Sequence, residues 1–186
     1  MRAVLGWLRR LRGDRRGVVA IEFALVLPLL VVALLGITEV GRYLLLEMKL
    51  QTSAAKIGDL MTRDRDPSTA SLTDAFNAVP TMLQPFPAGG NARTIVSAVV
   101  KPDAGEPPEV AWQLDGGGTL SANSSVGAPG GDANVPADLV TVGGTAVIVA
   151  EMVYDYEPWL LGLIDGGRLR HRAYFRPRLS GMRSLN

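Results

Sequence analysis

The chain has 186 residues, 47% of them hydrophobic, with no cysteine and a net charge of +1. That length holds one domain with an anchor rather than two large cores, and the lack of cysteine excludes structural disulfides, thiolate metal sites and a lipidated-cysteine anchor. Setting aside residues 1–17, with their six arginines and one aspartate, leaves 13 basic against 17 acidic residues, a net charge of −4 that argues against a nucleic-acid partner.

Residues 1–17 form a basic leader, with Arg2, Arg9, Arg10, Arg12, Arg15 and Arg16 against Asp14 alone. The apolar run Val18–Ile37, VVAIEFALVLPLLVVALLGI, follows. At about 1.5 Å per helical residue it can cross a hydrocarbon core of about 30 Å. Pro28 and Gly36 within it are better tolerated in lipid than in water. No other stretch approaches this length, so one span is expected. The arginine excess places the N-terminus in the cytoplasm and the rest of the chain across the membrane. A cleaved secretory signal is the competing reading. The run is longer than the usual apolar region of about 7–15 residues and ends without a small-x-small site, so the anchor is expected to stay.

Glu22 stands near the head of this span. A carboxylate at membrane depth is costly and usually functional. The bland reading is a residue that snorkels to the headgroups, only about 9 Å along the axis from Arg16. The local order, basic residues, Gly17, then an acid five positions on, suggests a purpose instead. Hydrolysis after Gly17 would make Val18 a positively charged N-terminus four residues before Glu22. The carboxylate could pair with that amine, or with that of an adjacent subunit, and so set axial register between helices packed in lipid.

The helical pattern continues past the membrane surface. Leu46, Leu50, Ala54, Ile57 and Met61 recur at spacings of three and four, forming one apolar stripe, until Asp66-Pro67 closes the run. Val18 to Arg63 is therefore expected to be one helix of about 70 Å. A short helix follows, with Ser71 and Asp74 as a capping pair and Leu72, Phe76, Val79 and Leu83 at helical spacing; Pro80 works against its second half.

Beyond Asn91 the period changes to two. Strands are expected around Thr94–Lys101, Glu109–Leu114, Ala146–Glu157 and Arg168–Leu179. Their alternation suits an antiparallel sheet with one wet face. Residues 115–134, rich in glycine, serine and alanine, read as a flexible loop. The fold class is thus α+β. Residues 1–17 form the leader, 18–63 a transmembrane and extended amphipathic helix, and 64–186 an α+β domain.

Candidate chemistry is sparse. The lone histidine, His171, falls on the inward parity of the last strand, where a tolerated strand histidine is the simpler account. No second histidine or motif spacing supports catalysis, so no enzyme, cofactor or metal site is expected. Arg168, Arg170, Arg172, Arg176 and Arg178 share the outer parity. They are expected to pair with Glu151, Asp155 and Glu157 on a solvated face rather than to bind a ligand. Trp159–Ile164 is expected to close the end of the core in preference to forming an exposed patch.

Arg16-Gly17-Val18-Val19-Ala20-Ile21-Glu22-Phe23 resembles the processing and assembly motif of type IV pilin-like proteins. The wider stretch from Gly17 to Arg42 is similar to the TadE/TadG-like family of minor pseudopilins of the tight-adherence (Flp) pilus. Ala54-Ala55 and, more weakly, Tyr154–Pro158 add to the likeness. The resemblance implies a pilin-like fold in the inner membrane, with the C-terminal domain periplasmic. It implies cleavage between Gly17 and Val18 by a prepilin peptidase, and assembly roles for Glu22 and Phe23. The implied partners are that peptidase, other pilins and pseudopilins, the inner-membrane assembly machinery and the lipid bilayer, in a process serving adhesion and biofilm formation. Phe23 stands where Flp subunits usually carry tyrosine, and Val18 where other type IV pilins carry a methylated phenylalanine. Major Flp subunits are far shorter, which implies a minor role, in the fibre or at its base. The alternative is an unprocessed single-pass envelope scaffold or binding protein.

Overall fold

A computed structural model of the protein describes residues 16–63, 68–102, 105–136, 138–139 and 146–177. The first fifteen residues of the leader, Asp66-Pro67 and the end of the last expected strand, including Arg178 and Leu179, lie outside the described residues.

Helix α1 (Arg16–Arg63) runs 48 residues without a break, through Pro28, for about 72 Å. Its two halves meet different surroundings. The apolar window in its first half is 0% buried, so no described residue of its own domain covers it. In its second half the expected stripe faces inward: Leu46, Leu50, Ala54 and Ile57 are fully buried and Met61 nearly so. One apolar helix of this kind fits a single-pass membrane protein.

Helix α2 (Thr69–Leu83) begins one turn earlier than the Ser71–Asp74 pair predicts. Ser68 is its N-cap, and its Oγ accepts the Ser71 backbone N–H at 3.2 Å. The helix also carries on through Pro80. An interior proline costs about 3 kcal/mol. Full burial of a valine or leucine contributes about 1.5–3 kcal/mol each, and Val79 and Leu83 are both fully buried against α1 and the sheet. The two side chains offset the proline, so the stripe wins.

Four strands follow: β1 (Ala92–Val100), β2 (Glu109–Gly116), β3 (Ala146–Tyr156) and β4 (Gly167–Phe175). They form one antiparallel sheet in the order β2-β1-β3-β4. Ala98 faces Trp112 and Val99 faces Val110, so Ala111 is the extra residue of a bulge in β2. One sheet face packs under α1 and α2 through Val96, Ala98, Ile148, Ala150, Met152 and Tyr154. The class is α+β, as the sequence predicts.

The second face is not wet. Val99, Val110, Val147 and Val149 form a smaller core there with Val126, and Ala133, Val135, Leu139 and Tyr174 close over it. The segment that composition marks as a flexible loop is what covers this face. Its glycines serve close approach as much as freedom. Gly117 turns at φ +72°, and a Cβ on Gly118 would stand 2.1 Å from the Ala92 carbonyl oxygen. The backbone is stitched down there: Thr119 N–H donates to Gly89 O at 2.8 Å and Leu120 N–H to Ala92 O at 3.2 Å.

Glu151 ties the same segment from the sheet side. It is fully buried, not solvated, and accepts hydrogen bonds from both serine hydroxyls of Ser124 and Ser125 and from the Ser125 N–H at 3.2 Å. Arg170 Nη1 adds a charged donor at 3.0 Å. Its directly facing residue in the register is Arg172, so the pair forms on the diagonal. Asp155 and Arg168, which do face each other, pair at 2.9 Å in the exposed manner expected of the whole ladder.

Candidate functional site

The residues singled out by sequence lie at the start of α1. Gly17 is its second residue, and a Cβ there would meet nothing within 4 Å. The Gly17–Val18 bond therefore lies at the start of the described part of the helix. Val18 and Glu22 stand four residues apart, so they share a face about 6 Å apart along the axis. Phe23 points about 100° round from Glu22. Val18, Glu22 and Phe23 are all exposed, and no described residue of the folded domain reaches them. Among the described side chains Glu22 has no ion-pair partner. An acid at this depth that no described side chain matches is open to a counter-charge from outside the described residues.

The exit from the span holds a second site, centred on Glu39, which sequence reasoning passes over as a flanking charge. Glu39 is fully buried. Its carboxylate accepts three successive backbone N–H groups of the β3–β4 loop: Leu161 at 3.0 Å, Gly162 at 3.1 Å and Leu163 at 3.3 Å. Gly162 has φ +62°, and the left-handed step turns neighbouring amides toward one point, an anion-binding nest. Burial pushes the Glu39 carboxyl up. The amides of Leu161, Leu163, Gly162 and Leu160 together outweigh that and hold it below the usual carboxylate range.

The signal for Glu39 was present in the spacing. Stepping back from Leu46 by threes and fours gives Tyr43, Glu39 and Gly36, so the acid stands on the extension of the buried stripe. An acid on a buried stripe requires a dedicated partner. Its neighbours are equally ordered. The Arg42 guanidinium lies 4.9 Å from the Phe86 ring centre and 5.0 Å from that of Trp159. A Cβ on Gly36 would stand 3.1 Å from Leu163 Cδ1, so that leucine rests on the helix where it leaves the span.

This arrangement corrects the expectation for Trp159–Ile164. Only Ile164 packs against the core; Trp159, Leu160, Leu161 and Leu163 are exposed. Turning three amides inward to a carboxylate turns the side chains out. His171 does lie inward, as its parity predicts, with Nε2 in hydrogen-bond contact with Glu47 Oε2. Glu47 Oε1 accepts from the Tyr43 hydroxyl at 3.0 Å. Among the described residues no group of three or more histidines and acids converges to hold a metal ion.

Comparison with known families finds one likeness, and it falls on the long helix. Residues 17–58 match the family model described as TadE-like protein. Over those residues the chain is similar to TadE-like proteins. The match opens on Gly17, takes in Glu22, Glu39 and Arg42, and ends five residues before α1 does; α2 and the sheet lie outside it. Neither the comparison with curated proteins nor that with solved structures finds a match. The TadE-like match points to the Tad pilus system and, in general terms, to that system's components as partners.

Proposed function

We propose that the protein is a minor pseudopilin of the tight-adherence (Flp) pilus, anchored in the inner membrane with its sheet domain on the periplasmic side. A prepilin peptidase cleaves after Gly17, and Val18 becomes the mature N-terminus. The new ammonium, on the face of Glu22, supplies a positive charge that no described side chain gives that carboxylate. It comes from the same chain or from the neighbouring pilin, and Phe23 packs beside it. Pairing in lipid gives axial register, because leaving either charge alone at that depth is costly. The mature subunit thereby takes part in pilus assembly, and through it in adhesion and biofilm formation.

One observation carries this reading: the TadE-like match opens on the glycine itself, and its helix presents Glu22 with no counter-charge from the described domain. In cells that make the pilus, Glu22→Ala is expected to leave the protein inserted in the membrane while piliation falls about tenfold or more, the effect of about 1.4 kcal/mol or greater lost from a buried ion pair. Unchanged piliation would remove Glu22 from the mechanism.

A further inference from the structure

We infer that the β3–β4 loop is a membrane foot: Trp159, Leu160, Leu161 and Leu163 seat in the lipid interface beside the end of the span, and Glu39 holds them at that depth. The inference needs the span, not the proteolytic processing, and so stands apart from the pilus reading.

The exposures pose the question. Trp159 is 62% exposed, Leu163 61%, Leu161 40% and Leu160 37%, a contiguous apolar cluster on one loop. Isolated exposed leucines need no explanation, but a clustered patch marks an interaction surface. What covers it follows from where it is tied. Leu163 rests on Gly36, inside the span, and the amides of residues 161–163 close on Glu39, two residues beyond Ile37. At about 1.5 Å per residue, these ties fall within about 3 Å of the span's last residue along the helix axis. Lipid that covers Ile37 on this side therefore meets Leu163 as well. The loop's apolar surface is continuous with that of the span, which argues for bilayer rather than a separate protein.

The polar groups around the loop agree with that placement. Glu157 and Asp165, both exposed, stand at its two roots and mark the aqueous side. Trp159 is amphipathic, the kind of ring enriched at the membrane–water boundary, and Arg42 caps its face from the helix. Beside one helix, a second contact of this kind fixes rotation about the helix axis and the height of the sheet above the bilayer.

The test uses the full chain with Trp159 as its single tryptophan (Trp7→Phe, Trp112→Phe), reconstituted at high dilution in phosphatidylethanolamine–phosphatidylglycerol vesicles. Lipids brominated close to the headgroup are expected to quench Trp159 about twofold or more, acrylamide only weakly, as for an interfacial ring. A chain whose only tryptophan is introduced by Thr73→Trp, on α2, should show the reverse. Adding Glu39→Ala to the Trp159 chain should at least halve the lipid quenching with helix content unchanged by circular dichroism. Trp159 open to acrylamide and blind to bromolipid would overturn the foot. Shielding from both quenchers would overturn it too, by assigning the loop to a protein partner. Quenching unmoved by Glu39→Ala, or by Gly36→Leu as a second disturbance of the same seat, would remove the clamp.

Discussion

Glu39 and Glu151 are both fully buried carboxylates, and each fastens a loop to a different element. Glu39 lies on α1 and captures backbone; Glu151 lies on β3 and captures two serines and Arg170. Removing either acceptor leaves buried donors unmatched, which costs more than the bond contributed. For Glu39→Ala, amide exchange at Leu161, Gly162 and Leu163 is expected to quicken by roughly tenfold or more, as follows from losing a charged acceptor. Equal protection in the variant would contradict the clamp. The pH dependence follows from the same contacts. The folded-state pKa of Glu39 lies below its unfolded value, near 4.3. Its contribution is therefore complete above that value and is lost as pH falls through the lower folded one. Loop protection should hold from neutrality down to about pH 5 and fail only on further acidification. Loss between pH 7 and 5 would assign it to another group. Glu151→Ala leaves a partly exposed arginine rather than a buried one, so a loss of about 2–3 kcal/mol is expected, read from denaturant midpoints in detergent.

At the scale of elements, Gly58 shows how packing sets the sign of a substitution. Glycine in a helix costs about 1 kcal/mol against alanine, so Gly58→Ala should stabilise α1 taken alone. A Cβ there would stand 2.4 and 2.6 Å from two Phe175 ring atoms of β4. Overpacking costs about 1–3 kcal/mol, so the net change is expected to be a loss of about 1 kcal/mol. In a Phe175→Leu background the same substitution should become neutral or stabilising; a loss unchanged there would show that the ring is not the obstacle. The sequence around Gly58 does not show why it is glycine, because the reason lies on a strand more than a hundred residues away. The elements that were legible are those whose signal is local. The stripe from Leu46 to Met61, the period-two strands and the inward parity of His171 all hold because each reports one face of one element. The covered second sheet face was not legible, since glycine and serine in residues 115–134 look alike whether they free the backbone or let it lie against a strand. The exposed Trp159–Leu163 run was hidden for a related reason: its conformation is set by a carboxylate far back in the sequence. Only extending the stripe one step past Tyr43 would have raised the question.

At the scale of the whole molecule, α1 is one rod with two environments. Its second half is a wall of the domain core, and among the described residues its first half carries only the β3–β4 loop, at Gly36 and Glu39. That division suits a subunit whose domain folds independently of what the span packs against, which under the proposed function is lipid before assembly and other helices after. Phe23 and the neighbouring apolar side chains are available to either. The proposed processing adds the one charge such a transfer would need, at the membrane-buried end and nowhere else. The most direct measurement is the intact mass and N-terminal peptide of the protein extracted from membranes of cells with an active prepilin peptidase. The account predicts a mature chain beginning at Val18, and a chain still beginning at Met1 in Gly17→Val cells. A wild-type chain with Met1 and the arginine leader intact would contradict it.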